Sequence, residues 1–141
     1  MKVYVDSSFL IPLYVQDRHS ADARRQMATR PEVWLTPLNI AEFSHAIGQQ
    51  IFLSKISSLE SDQVRGHFEN DRAAGLWLEA AMPEQAFERC AEIGHRYGPK
   101  LGIRTLDSLH VACALELKAE QFWTFDERQG KLAKITGLRV L

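Results

Sequence analysis

The feature that most constrains the fold of this chain is its alternation of short apolar segments with longer segments of helical periodicity. The short segments have the length and composition of β-strands, and segments with helical periodicity lie between them. Strands separated by helices imply βαβ crossovers, which require a parallel sheet with helices on both faces. The predicted strands are Val3–Val5, Glu32–Thr36, Leu76–Ala81, Gln121–Phe125 and Leu138–Leu141.

The predicted helices follow from apolar spacing and from residues that start or end helices. Pro37 begins a long helix on which Ile40, Phe43 and Ile47 share one face. Pro83 lies in the first turn of a helix toward Tyr97, and the sequence YGPKLG is expected to break that helix. Further helices are predicted from about Phe9 to Val15, Ser20 to Thr29 with Ser20 as the cap, Ser57 or Ser58 toward Ala74, Thr105 to Lys118, and Glu127 to Ile135.

Length and composition predict one soluble domain over residues 1–141, with 45% hydrophobic and 25% charged residues. No stretch reaches the apolar length of a membrane span, and no secretory signal is recognisable, so we expect a cytoplasmic protein without a membrane partner. The formal net charge of −1 argues against a generic basic nucleic-acid binder. An RNA partner would therefore be held by a local basic patch or through a metal.

Four carboxylates stand where unpaired charge is costly. Asp6 ends the first predicted strand, and Asp126 follows another apolar run. Glu42 and Asp107 lie in helices that otherwise look buried, and no Lys or Arg is three or four residues from Glu42. Since sites in open parallel sheets lie beyond the carboxyl ends of the strands, Asp6 is in the expected place.

Structural roles explain some of these carboxylates one at a time. Asp126 with Gln129 matches an N-cap and its capping-box partner, Asp107 is in the first turn after a Thr105 cap, and Asp6 can cap the next helix. Four carboxylates without cationic partners would nevertheless repel one another unless a divalent cation lay among them. Oxygen ligands with retained waters suit Mg²⁺ or Mn²⁺, whose chemistry points to phosphodiester hydrolysis.

Neighbouring polar residues are weaker candidates. Ser7 or Ser8 is placed to orient a water or the scissile phosphate, although serines after a strand more often cap helices. Three basic residues close in sequence to the carboxylates are candidate phosphate contacts or ordinary solvated surface. These are Arg104, Arg128 and Lys131.

Four stretches, VYVDSSFL, LNIAEFSHA, RTLDSLHVACAL and FWTFDERQGKLAKITGLRV, together resemble the PIN-domain family, and within it the ribonuclease toxins of VapBC-type toxin–antitoxin pairs. The resemblance runs end to end. It implies an α/β fold with three α/β/α layers around a central parallel sheet of about five short strands. It also implies a Mg²⁺- or Mn²⁺-dependent endoribonuclease, commonly a homodimer that a cognate antitoxin holds inactive.

The resemblance further implies which residues form the acidic site. Asp6 and Asp107 would be the principal metal ligands. Glu42 and Asp126 would complete the pocket directly or through water. No acidic position of the family pattern is missing.

Two alternatives stay open at this point. One is a PIN-like module that binds RNA or protein without cutting. The other is a di-iron carboxylate protein, because Glu42-x-x-His45 and Asp107-x-x-His110 are both carboxylate-x-x-His pairs. The predicted strands interrupt the chain too often for the four long helices that such a bundle needs. His45 and His110 otherwise line the acidic pocket or are satisfied core histidines.

Overall fold

The computed structural model describes residues 1–141, and its centre is a five-stranded sheet in which every pairing is parallel. The order across the sheet is β3-β2-β1-β4-β5. The first strand therefore lies in the middle, where Tyr4 is in register with Trp34 on one side and Phe122 on the other. The strands are β1 Lys2–Val5, β2 Glu32–Leu35, β3 Leu78–Glu79, β4 Gln121–Trp123 and β5 Arg139–Val140.

Seven α-helices flank the sheet and complete the predicted three-layer α/β/α fold. A 3-10 turn at Ile11–Leu13, which includes Pro12, follows the first helix. None of the helices is long and apolar enough to cross a membrane. The helices are α1 Ser7–Leu10, α2 Ser20–Met27, α3 Pro37–Phe52, α4 Ser58–Ala73, α5 Ala86–Leu101, α6 Thr105–Glu116 and α7 Glu127–Ile135.

The two faces of the sheet bury separate cores, because side chains alternate along a strand. Val3 and Val5 of β1 belong to the core beneath α1, α3 and α4, together with Phe43 and Phe68. Tyr4 points the other way, into the core that α5, α6 and α7 form. Helices on both faces cover β1 completely, which is why its side chains are apolar at successive positions.

Several predicted boundaries are wrong. Helix α5 continues past the expected break, because Pro99 falls in its last turn, where a missing N–H costs one exposed hydrogen bond. The helix ends instead at Gly102, whose φ of 60° is a left-handed conformation that glycine adopts without strain. Ser20 does not cap α2: it is the first residue of the helix, and its hydroxyl accepts from the Asp17 N–H at 2.9 Å.

Helix α3 offers a matched test of where the core lies. Phe43 is 2% exposed, and its ring stacks on Phe68 with centroids 4.0 Å apart. Phe52, on the same helix, is 80% exposed. We expect Phe43→Ala to lower the free energy of unfolding by about 3–5 kcal/mol, since it leaves a cavity. Phe52→Ala should change it by less than about 0.5 kcal/mol. Urea denaturation measures both, and similar losses would contradict this packing.

Candidate active site

Asp6 is fixed at the carboxyl end of β1 by bonds to backbone and hydroxyl groups. Its N–H donates to the Trp123 carbonyl at 3.3 Å, which extends the pairing of β1 with β4 by one residue. Its Oδ1 accepts from the Phe9 N–H at 3.2 Å, so Asp6 caps α1 as predicted. Oδ1 also accepts from the Ser8 hydroxyl at 2.7 Å, and Oδ2 accepts from the Thr124 hydroxyl at 2.6 Å.

Neutral donors alone hold the Asp6 carboxylate, which is 6% exposed and makes no ion pair. Burial raises its pKa above the ordinary value of 3.8. The bonds from Thr124, Ser8 and the Phe9 N–H, and the charge of His110, oppose that rise without cancelling it. The carboxylate is therefore costly to keep charged in this protein.

Glu42 has a partner that the spacing on its own helix does not reveal. Its Oε1 accepts from the Ser7 hydroxyl at 2.7 Å and from Nε2 of His110, a buried residue of α6. Burial alone would raise the pKa of Glu42, but the hydrogen bonds from His110 and Ser7 and the charge of His110 outweigh it, so this pKa is lowered. Glu42 thus has a hydrogen-bonding partner on another helix, although no Lys or Arg pairs with it.

The other two carboxylates lie at the N-termini of helices, Asp126 as the N-cap of α7 and Asp107 in the first turn of α6. Asp126 is exposed and accepts from the Gln129 N–H at 2.8 Å, which confirms the predicted N-cap of α7. The reciprocal half of that capping box is absent, because both side-chain polar atoms of Gln129 are buried without a partner. Asp107 is half-buried and accepts from the Arg104 N–H at 3.3 Å, so the cap of α6 is Arg104 and not Thr105.

Two neighbouring clefts bring three of the four carboxylates onto one surface. A cleft of about 550 Å³, here called the basic cleft, contains Asp107 and Asp126. A second, of about 630 Å³ and here called the Glu42 cleft, contains Glu42 and Asp107. Asp107 and Arg104 line both. The basic cleft is completed by Lys100, Leu101, Arg104, Glu127, Arg128 and Lys131, and the Glu42 cleft by Ile103, Arg104, Thr105 and Leu106.

Asp6 lines neither cleft, but hydrogen bonds connect it to Asp126 through Thr124, and its neighbour Ser7 bonds to Glu42. Thr124, which donates to Asp6, also accepts from the Asp126 N–H at 3.0 Å. Ser7, the residue after Asp6, donates to Glu42. Both serines therefore orient carboxylates. No group of three or more Asp, Glu, His or Cys side chains is arranged to bind one metal ion by itself.

The donor set nevertheless fits a hydrated Mg²⁺ or Mn²⁺. In Glu42, Asp107 and Asp126 one carboxylate oxygen is hydrogen-bonded, while Glu42 Oε2, Asp107 Oδ1 and Asp126 Oδ2 have no hydrogen-bond partner. Free carboxylate oxygens are the ligands that hard cations prefer. Mg²⁺ usually keeps several waters and takes only one or two carboxylates, so it does not need three to converge.

Basic side chains surround the carboxylates on the open side of the basic cleft. The three predicted phosphate contacts, Arg104, Arg128 and Lys131, all line it and are all exposed. Lys100 joins them, and sequence reasoning missed it because α5 was expected to end before this residue. Lys131 lies 3.9 Å from Glu127, and Arg128 donates to the Gly102 carbonyl at 3.4 Å. Cations beside carboxylates suit a phosphate held near bound metal.

The di-iron alternative is wrong, because the chain is built around a parallel sheet and not a bundle of four long helices. His45 is exposed, and its Nδ1 bonds to the Ala41 carbonyl at 2.9 Å, so the Glu42-x-x-His45 pair does not form. His110 was expected to line the pocket or to be satisfied in the core, and it lies buried against Glu42.

The sequence model of the PIN domain matches residues 3–135, which include all four carboxylates. The chain belongs to the PIN domain family. No curated protein sequence is significantly similar to it.

Solved structures share the fold of this PIN domain over nearly its whole length. VapC20 of Mycobacterium tuberculosis, a sarcin-ricin loop cleaving toxin, is 15% identical with a TM-score of 0.72, covering 96% of this chain and 95% of that one. FitAcB of Neisseria gonorrhoeae is 15% identical with a TM-score of 0.72, covering 99% and 96%. VapBC2 of Rickettsia felis, bound to a promoter DNA fragment, is 14% identical with a TM-score of 0.69, covering 100% and 98%.

The raised pKa of Asp6 predicts a variant that is more stable than the wild type. Asp6→Asn removes a buried charge while the amide oxygen keeps the bonds from Ser8 and Phe9, and Thr124 can accept from the new NH₂ group. In metal-free protein at pH 7.5 we expect its melting temperature to exceed that of the wild type by about 3–6 °C.

The pH dependence follows from the same shift. Because the pKa of Asp6 is raised in the folded protein, the folded protein binds a proton at Asp6 more readily than the unfolded chain does. The cost that Asp6 imposes on the folded wild type therefore decreases as the pH falls through the raised pKa toward 3.8. The difference in melting temperature between Asp6→Asn and wild type should therefore shrink from pH 7.5 to pH 4.5 in calorimetry with chelator. A less stable variant, or a difference that grows on acidification, would contradict the assignment.

Proposed function

We propose that this PIN domain is a metal-dependent endoribonuclease, the toxin of a toxin–antitoxin pair, which hydrolyses RNA phosphodiester bonds at Asp6, Glu42, Asp107 and Asp126. One observation carries the proposal: Glu42, Asp107 and Asp126 line two adjoining clefts, one of them basic, and Asp6 is hydrogen-bonded to Thr124, which accepts from the Asp126 N–H. Membership of the PIN domain family and the fold shared with the VapC20 toxin support it.

The proposed metal is Mg²⁺ or Mn²⁺, held by the free oxygens of Glu42, Asp107 and Asp126 and by the remaining lone pair on Oδ2 of Asp6. When bound, such an ion activates water for attack on phosphorus and offsets the charge that develops on the phosphodiester. Asp6 has no cationic side chain beside it and a raised pKa, so an adjacent cation would stabilise its charged form.

The basic cleft suits an RNA backbone. Arg104, Arg128, Lys131 and Lys100 place cations on the same surface as the free oxygens of Asp107 and Asp126. A phosphate there pairs with the cations while the carboxylates lie at the scissile bond. The formal net charge is −1, so this local patch, and not the overall charge, would attract RNA.

The apolar surface near Glu42 suits a protein partner, and we propose that the cognate antitoxin binds there. A groove of about 500 Å³ contains Leu38, Ala41, Ala46 and Leu106, with Ser7, Glu42 and His45 at its edge. A segment seated in it would cover Glu42 and reach the Glu42 cleft, which shares Glu42 and Leu106 with the groove. The resemblance to the toxins of VapBC-type toxin–antitoxin pairs, and the fold shared with VapBC2, support such a partner. A second copy of this chain, giving a homodimer, has further exposed apolar surface available at Phe52, Leu53 and Leu59.

Cleavage of a labelled RNA mixture by purified protein, free of antitoxin, tests the proposed activity. We expect cutting with Mn²⁺ or Mg²⁺, none with chelator, and a loss of at least about 100-fold in Asp6→Asn and Asp107→Asn, because each removes a charge that holds the metal. Asp62→Asn is the matched control, since Asp62 is an exposed residue of α4 outside both clefts.

The stability of Asp6→Asn sharpens this test, because a variant that is more stable and inactive cannot have lost activity by unfolding. Full activity in Asp6→Asn, or cutting that persists in chelator, would contradict the proposal. RNA binding without cutting in any metal would favour the non-catalytic PIN module instead.

A further inference from the structure

We infer that His110 and Tyr4 are positioning residues that hold Glu42 in a single orientation with one carboxylate oxygen directed to the metal, an inference that rests on the proposed function. Neither residue touches the proposed RNA path. Both act through Glu42, by a line of hydrogen bonds that runs from the middle of the sheet to the cleft.

The line begins at a fully buried side chain. Tyr4 is 0% exposed in the central strand, and its ring stacks on Phe122 with centroids 5.6 Å apart. Its hydroxyl lies 2.8 Å from Nδ1 of His110, and the two rings meet edge to face at 5.8 Å. The imidazole is itself 3% exposed. The sheet therefore fixes one nitrogen of His110, and the other nitrogen contacts Glu42.

The partners also fix where the protons are. A carboxylate can only accept hydrogen bonds, so Nε2 of His110 carries the proton that faces Glu42. In the neutral imidazole Nδ1 is then an acceptor, and the Tyr4 hydroxyl donates to it. Tyr4 thus favours the tautomer that Glu42 needs. Without that hydroxyl, the ring is free to exchange tautomers and to rotate.

The two donors to Glu42 leave its other oxygen available. Ser7 and His110 both bond to Oε1, and no donor in the chain reaches Oε2. The carboxylate is therefore held by one oxygen from two directions, while Glu42 lines the cleft that it shares with Asp107. Carboxylate ligands are commonly held by outer hydrogen bonds of this kind, and losing one typically weakens metal binding about 10–100-fold.

Packing alone does not explain these two polar groups. Tyr4 and His110 lie in a core that is otherwise apolar, among residues such as Leu109, Val111 and Ala112. A buried imidazole costs free energy unless both nitrogens are bonded, and a Leu or Met would fill the same space without that requirement. These two polar groups are instead explained by the contact at the end of the line, where His110 holds Glu42.

Mn²⁺ binding to the purified protein, measured by calorimetry with the metal alone, tests the inference apart from activity. His110→Met keeps the volume but removes the donor, and we expect its Mn²⁺ affinity to fall at least about 10-fold. His110→Gln retains an N–H that can reach Glu42 and should recover most of that loss. Tyr4→Phe keeps the ring packing and should weaken Mn²⁺ binding about threefold, because the imidazole stays but is less constrained.

His67→Met is the matched control, since His67 is an exposed histidine of α4 that lines neither cleft nor the apolar groove. It should leave Mn²⁺ affinity unchanged. In parallel RNA cleavage, His110→Met and Tyr4→Phe should need more Mn²⁺ for half-maximal rate, and saturating Mn²⁺ should restore most of the activity. Tyr4→Phe keeps the inference testable if His110→Met does not fold.

The possible results distinguish the proposed function from the inference about His110 and Tyr4. Wild-type protein that neither binds Mn²⁺ nor cuts RNA would overturn the proposed function and this inference together. Wild-type protein that binds Mn²⁺, with equal affinity in His110→Met and Tyr4→Phe, would overturn the inference and leave the proposed function intact. Equal losses in His110→Gln and His110→Met would likewise overturn it, since the donor would then not matter.

Discussion

Parallel pairing of β1 between β2 and β4 is the constraint on which the rest of the structure depends. It buries the first strand on both faces and brings the next residue, Asp6, to the edge where neighbouring strands also end. The Thr124 hydroxyl, just past the end of β4, reaches Asp6 because the two strands are in register. Helices that start at this edge then present residues of their N-termini, the N-cap Asp126 of α7 and the first-turn Asp107 of α6, to the same cleft.

The site holds its carboxylates by two different means. Asp6 is buried among neutral donors and is costly to ionise, whereas Glu42 is held by His110 and Ser7 and ionises readily. The other two carboxylates sit at helix N-termini, where backbone N–H groups favour negative charge. Negative charge therefore collects at one edge of the sheet without a Lys or Arg in direct ion pair with Asp6 or Glu42. A protein that maintains such an arrangement is well suited to bind a divalent cation.

The fold follows from local pattern, because strand and helix periods alternate clearly along the chain. The helix from Pro37 and the caps at Asp6 and Asp126 were predictable from neighbours within four residues. The C-terminal end of α5 was not predictable in this way, since the free-energy cost of Pro99 within a helix depends on its position in the last turn. The His110 contact with Glu42 was also beyond local rules, because 68 residues separate them and only the tertiary fold brings them together. The Asp107-x-x-His110 spacing was the available signal, but it indicates a shared helix face without naming the partner.

Anomalous diffraction from crystals of the wild-type protein soaked in Mn²⁺ tests the central claim most directly, because it locates the ion without reference to activity. The account predicts a Mn²⁺ peak among Asp6, Glu42, Asp107 and Asp126, with Glu42 contributing Oε2 and keeping Oε1 on His110. A peak elsewhere on the surface, or no peak at this edge of the sheet at millimolar Mn²⁺, would contradict it.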